Sequence, residues 1–260
     1  MRASSDVRTV TVVLAGLLLA AVAAPLRAED EKPKPLWDLK VGFSYVATGG
    51  NTSTKTAGAD VSFHRRWTLW SLQAAADAVR ATDNGVTTAE RYTAGVRVNR
   101  AISERMSLTA GWQGDRAPLA GFDLRSVTDA GVQWQAYASD AWTLDTIAAA
   151  TWTREVPVEG DTSNRGGVMA QARSAVTLSD TASTTQNVTF YQSVRDSKRW
   201  RLDAVAALQA AVNAHLAVKF SYEFRYDNQP VPGFGKTDTI TKASLVVNLA
   251  SKRNLATPAP

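Results

Sequence analysis

The feature that most limits what this chain can fold into is an alternation of apolar and polar residues with period two, which recurs between residues 39 and 249. Its clearest stretch sets Leu216, Val218, Phe220, Tyr222, Phe224 and Tyr226 against Lys219, Ser221, Glu223 and Arg225. Successive side chains of a strand point to opposite faces, whereas a helix would spread the same apolar set around its circumference. Alternating runs predict strands around 39–45, 57–63, 70–78, 92–98, 106–112, 130–136, 142–152, 168–178, 188–194, 200–212, 216–226 and 243–249. That is about twelve, an even number, as in single-chain bacterial barrels. Segments 73–77 and 203–211 are rich enough in Ala for intrinsic propensity to favour helix, but their period predicts strand.

Beyond residue 28 no stretch approaches the roughly 18 apolar residues that a membrane-spanning helix needs. A chain of this pattern that crosses a bilayer must do so as a closed barrel, since every backbone polar group has to be paired there. The predicted fold class is all-β: a transmembrane antiparallel up-and-down β-barrel of about twelve strands. Loop lengths support it. Short turns are expected near 65–66, 101–103, 139–140, 179–180 and 213–214, and longer connections at 48–52, 82–88, 115–123, 155–165, 195–199 and 227–236. Strict alternation of the two classes is the habit of outer-membrane barrels, with short periplasmic turns and longer outside loops. It puts both chain ends on the periplasmic side.

Residues 1–28 read as a Sec signal peptide: Arg2 and Arg8 precede an apolar run over 10–24, and cleavage falls between Ala24 and Ala28. Residues 29–36 are a charged, Pro-rich lead-in, 37–250 the barrel, and 251–260 a polar tail. The expected location is the Gram-negative outer membrane.

The chain has no cysteine, which removes disulfides, thiolate metal sites and a lipid anchor through an N-terminal Cys. Without the signal, the net charge falls from +5 to +3, spread evenly along the chain. Nucleic-acid binding needs a basic block or stripe, so that partner is not expected. The expected partners are outer-membrane lipid and the barrel-assembly machinery, with the protein a monomer. Many outer-membrane barrels end on an aromatic residue, whereas here the last strand ends near Leu249 before the tail.

Polar faces point inward in such a barrel, which nominates Asp60, Asp77, Arg97, Arg173, Arg201, Asp203, Lys219, Glu223, Arg225 and Lys242 as lumen-lining. They could line a pore, or pair with one another and fill it. His64 and His215 are the only histidines, too few for a multi-histidine metal site. Both lie beside expected periplasmic turns, and no Gly-x-Ser-x-Gly elbow occurs, so neither catalysis nor a cofactor is expected. Asp161 and the pair Asp227 and Asn228 fit no calcium-loop spacing and read as turn residues. Trp37, Tyr45, Trp67, Trp70, Tyr92, Trp112, Trp142, Trp152, Trp200 and Tyr226 stand near strand ends, where interfacial girdles are built. The function expected from the residues is a structural or passive-diffusion barrel, with a lumen-binding transporter or receptor as the alternative and a barrel enzyme acting on lipid as a second.

Three stretches carry a family resemblance: residues 37–45 followed by Gly-Gly-Asn-Thr at 49–52, Phe-Ser-Tyr-Glu-Phe-Arg-Tyr at 220–226, and Tyr-Asp-Asn-Gln-Pro-Val-Pro-Gly at 226–233 leading to Lys-Thr-Asp-Thr at 236–239. They resemble the YdiY-like, salt-induced outer-membrane protein family, whose members carry a domain of unknown function. The resemblance covers residues 37–249. It implies an outer-membrane barrel and no catalytic residues.

Overall fold

A computed structural model describes residues 36–48 and 54–250. The signal peptide, nearly all of the lead-in, the Gly-Asn-Thr turn and the polar tail lie outside these residues. The described chain forms twelve strands: β1 (Trp37–Thr48), β2 (Thr54–Arg66), β3 (Trp70–Asp83), β4 (Val86–Ala101), β5 (Met106–Ala117), β6 (Phe122–Ala138), β7 (Trp142–Pro157), β8 (Ser163–Thr177), β9 (Ala182–Ser193), β10 (Trp200–Ala211), β11 (Leu216–Asp227) and β12 (Thr237–Ala250). Each pairs antiparallel with its sequence neighbours, and β12 returns to pair with β1, with Asp38 opposite Ala250 and Phe43 opposite Leu245. The barrel is closed. No sheet edge is left to be satisfied by another chain. Both Ala-rich segments are strands, in β3 and β10, as their period predicts.

Alternation of burial along each strand separates the two faces. On β11, Phe220 and Tyr222 are exposed while Ser221 and Glu223 are buried, and on β12 Leu245 is exposed between buried Ser244 and Val246. The outward charges, among them Lys55, Arg65, Arg80, Arg100, Arg116 and Arg154, stand within a few residues of strand ends. Between them the outward positions of the described strands are apolar, small or uncharged polar. Along β7, Trp142 and Trp152 lie at opposite ends of this band. Ten residues at about 3.4 Å each, tilted by about 40°, separate them by roughly 26 Å along the axis, the height of the apolar band of a membrane barrel.

One expectation about the loops fails. The strands run on past the predicted limits at the end away from the chain termini, so the connections there shrink. The segment expected to be a long loop at 82–88 is a two-residue hairpin, Asn84 and Gly85, with φ of 48° and 83°. Asn-Gly with both residues at positive φ matches the twist of the flanking strands. The expected 115–123 loop is a single 3-10 turn over Pro118–Ala120, and that expected at 155–165 is the span 158–162. Strict alternation of short and long connections therefore does not hold, although the longest, 228–236, does lie at this end. We call it the loop end, and the other, which carries Trp37 and Ala250, the chain end.

Close strand approach explains one glycine. A Cβ on Gly131 of β6 would lie 2.1 Å from the Ala148 carbonyl oxygen of β7, so only glycine fits this inward position.

Candidate functional site: the barrel lumen

Every one of the ten residues nominated as lumen-lining stands on the inner face, and the structure joins most of them across strands. Lys219 on β11 donates to both carboxylate oxygens of Asp60 on β2, at 3.0 and 2.9 Å. Lys242 on β12 bridges Asp77 on β3 (2.5 Å) and Glu223 on β11 (3.0 Å). Arg97 on β4 makes a two-pronged contact with Asp129 on β6, both bonds 2.8 Å, and also donates to Thr109. Arg173 on β8 donates to the side-chain oxygens of Gln171 and of Gln73, the latter on β3 at 2.9 Å. Asp203 sits 3.2 Å from Arg201 on the same strand, and Arg225 donates to Asp115 at 3.2 Å.

These contacts fall into two levels. Toward the loop end, Arg225 on β11 reaches Asp115 on β5, which stands six strands away around a ring of twelve. Asp115 is 1% exposed and also accepts from Thr93 (2.8 Å) and Gln113 (3.0 Å). Its strand carries a bulge between Asp115 and Ala117, an irregularity of the kind that re-aims a side chain. Arg125 on β6 holds Glu155 on the adjacent β7 (2.5 Å) and Asp227 on β11 (2.9 Å), and its guanidinium lies over the Phe122 ring. Arg91 on β4 donates to Asp238 at 3.3 Å. Charges of both signs thus tie opposite walls together.

Toward the chain end the lumen opens into a chamber of about 800 Å³, which runs from Asp38 and His64 at the rim to Gln113, Tyr191 and Glu223. Neither Asp115 nor Arg225 lines it, because they form the level above. Two small crevices of about 50 and 20 Å³ lie on the loop-end side of that level. Side chains of this level therefore stand between the chamber and the crevices, with Tyr191 bordering both.

The loop-end level is not fully satisfied. Nη2 of Arg201 and Nε and Nη1 of Arg91 are buried without a hydrogen-bond partner among the described residues, and Nε of Arg201 meets Asp203 only as the 3.2 Å ion pair. A buried donor left unpaired costs about 1–3 kcal/mol.

Sequence reasoning misses several of the residues that make these pairs in both levels. Asp115 and Glu155 fall in predicted loops, and Arg91, Arg125 and Asp129 are not among the nominated residues; all five are buried. Carrying the period of two past the predicted strand ends would have found them, because Arg91 shares its face with Arg97, and Arg125 shares its face with Asp129. Asp227 is likewise the last residue of β11 and an Arg125 partner rather than a plain turn residue. Asp161 is exposed in the 158–162 connection.

His64 lies within 2.8 Å of Arg66 and 3.8 Å of Asp38 at the chain-end rim, and His215 is exposed in the turn before β11. No group of three or more His, Asp or Glu that could hold a metal occurs among the described residues. Of the aromatic residues, Trp37, Trp67, Trp70 and Trp142 gather at the chain end. Tyr92, Trp112, Trp152, Trp200 and Tyr226 stand toward the loop end, where Trp200 stacks on Tyr226 at 5.0 Å.

Among solved structures, a porin, NanC, is 12% identical over 84% of this chain and 100% of its own, with a TM-score of 0.44. The translocator domain of the autotransporter NalP from Neisseria meningitidis is 10% identical over 94% of this chain and 97% of its own, also at 0.44. The KdgM porin in complex with disordered oligogalacturonate is 9% identical over 82% and 99%, at 0.40. No curated protein matches the sequence. A family model described as Protein of unknown function, DUF481, matches residues 41–249, which takes in the strands and the last hairpin on which the resemblance rests. The chain belongs to that family, DUF481.

Proposed function

We propose that this protein is exported by a Sec signal to the Gram-negative outer membrane and stands there as a structural barrel whose lumen is shut at rest. The observation that carries this reading is the coexistence of an uncharged outer band with a salt-bridged level across the inside. An outward band without charge suits hydrocarbon, where a charged side chain at mid-depth costs about 2–4 kcal/mol. Arg225 with Asp115 and Arg125 with Asp227 join walls six and five strands apart, which supports a lumen narrowed at that level. Passive diffusion of small solutes would require those pairs to part. A lumen-binding role would use the chain-end chamber, whose volume falls in the range of ligand pockets, about 300–1,000 Å³. The test is fractionation of cells making the full chain, followed by gel mobility with and without heating. The protein is expected with outer membranes, migrating differently unheated because a closed barrel resists detergent. Recovery as a freely soluble periplasmic protein would overturn the reading.

A further inference from the structure

The larger loop-end crevice has a composition that the closed-barrel reading does not use. Four guanidinium groups border it: Arg125 from β6, Arg165 from β8, Arg199 from the connection before β10, and Arg201 from β10. The carboxylates that touch them are three. Arg125 takes Glu155 and Asp227, Arg165 shares Glu155 at 3.3 Å, and Arg201 has Asp203 beside it. Arg199 contacts no carboxylate among the described residues; its Nε donates to the neutral side-chain oxygen of Gln229 at 3.2 Å. The crevice thus carries surplus positive charge.

It also carries an unused donor. Nη2 of Arg201 is buried and without a hydrogen-bond partner among the described residues, its Nε faces the Asp203 carboxylate at 3.2 Å, and the guanidinium lies 4.2 Å over the Tyr191 ring, so it is held in place. Buried donors in native proteins are nearly always met by protein, water or a bound ion. Planar guanidinium groups match the geometry of oxyanions with paired N–H bonds. The volume, about 50 Å³, holds a few water-sized groups and is too small for a sugar ring. A single phosphoryl-type oxyanion meets all three conditions: charge, donors and size.

We propose that this crevice binds one phosphate group, with Arg201 and Arg199 as its principal donors and Arg125 and Arg165 completing the positive wall. The group is either a free phosphate or the head of a phosphomonoester lipid. Trp200 lines the crevice and stands in the loop-end aromatic girdle, so a lipid headgroup lies within reach.

The test uses the full mature chain folded in zwitterionic nanodiscs. In one arm inorganic phosphate is titrated by calorimetry in chloride buffer of matched ionic strength. Saturable binding with a Kd at or below about 1 mM is expected. Arg201→Gln and Arg199→Gln should each weaken it at least tenfold, while Lys219→Gln in the chamber leaves it unchanged. In the other arm the nanodiscs contain phosphatidic acid, and bound lipid is counted by native mass spectrometry. Binding confined to this arm, and lost in Arg199→Gln, identifies the lipid as the source. Arg199 lies in an exposed connection, so its variant reports even where Arg201→Gln fails to fold. Absence of binding in both arms, or undiminished binding by Arg199→Gln, would overturn the proposal.

Discussion

Arg225 and Asp115 occupy strands six apart in a ring of twelve and meet at 3.2 Å, so one ion pair joins opposite walls of the barrel. Asp115 is almost entirely buried and holds two further hydrogen bonds, from Thr93 and Gln113, which fix its orientation.

Removing one member of such a pair strands the other charge in a dry site, which costs about 3–5 kcal/mol. Asp115→Ala is expected to destabilise by that amount in urea titrations of the barrel refolded into lipid vesicles. The double variant with Arg225→Ala should cost clearly less than the sum of the two single changes, because the stranded charge is gone. Additive costs would mean that the two side chains do not act as a pair.

Face assignment is tested on β11. Phe220 is 56% exposed on the outer face, between Leu208 and Ala243 of the neighbouring strands, while Lys219 turns inward to Asp60. Phe220→Arg places a charge against hydrocarbon and should cost about 2–4 kcal/mol. Lys219→Ala leaves Asp60 facing a roomy chamber that water can enter, and should cost less, near the lower end of the about 1.5–3 kcal/mol that a hydrogen bond to a charged group contributes. On the same face of β11, Glu223 is held by Lys242. Refolding yields in the opposite order would exchange the inner and outer faces.

The faces of the strands were legible in the sequence because a period of two permits only two assignments and the apolar set chooses between them. Strand ends were not. Near the loop end polar residues occupy both faces, as with Glu90 and Arg91 or Arg154 and Glu155, so the alternation loses contrast while the backbone pairing continues. Nor were partners legible. Arg125 finds Asp227 from five strands away because tilt and closure bring them to one height, and neither quantity is written in a local pattern.

The even strand number places Trp37 and Ala250 at one end, and the longest connection, 228–236, stands at the other, the habit of the outside end in membrane barrels. A protease site inserted at Gly160 or Gly233, both in loop-end connections, should be cut in intact cells, and one at Ser139 should not. Cleavage at Ser139 alone would turn the barrel over.

The most direct measurement is single-channel current through the purified full chain in planar bilayers. The wild-type barrel, its insertion verified by heat-dependent gel mobility, should give no sustained open steps, because the Arg225–Asp115 level closes the lumen. The double variant Asp115→Ala with Arg225→Ala should conduct more than wild type. A steady, wide-open conductance from the wild-type protein would contradict the account.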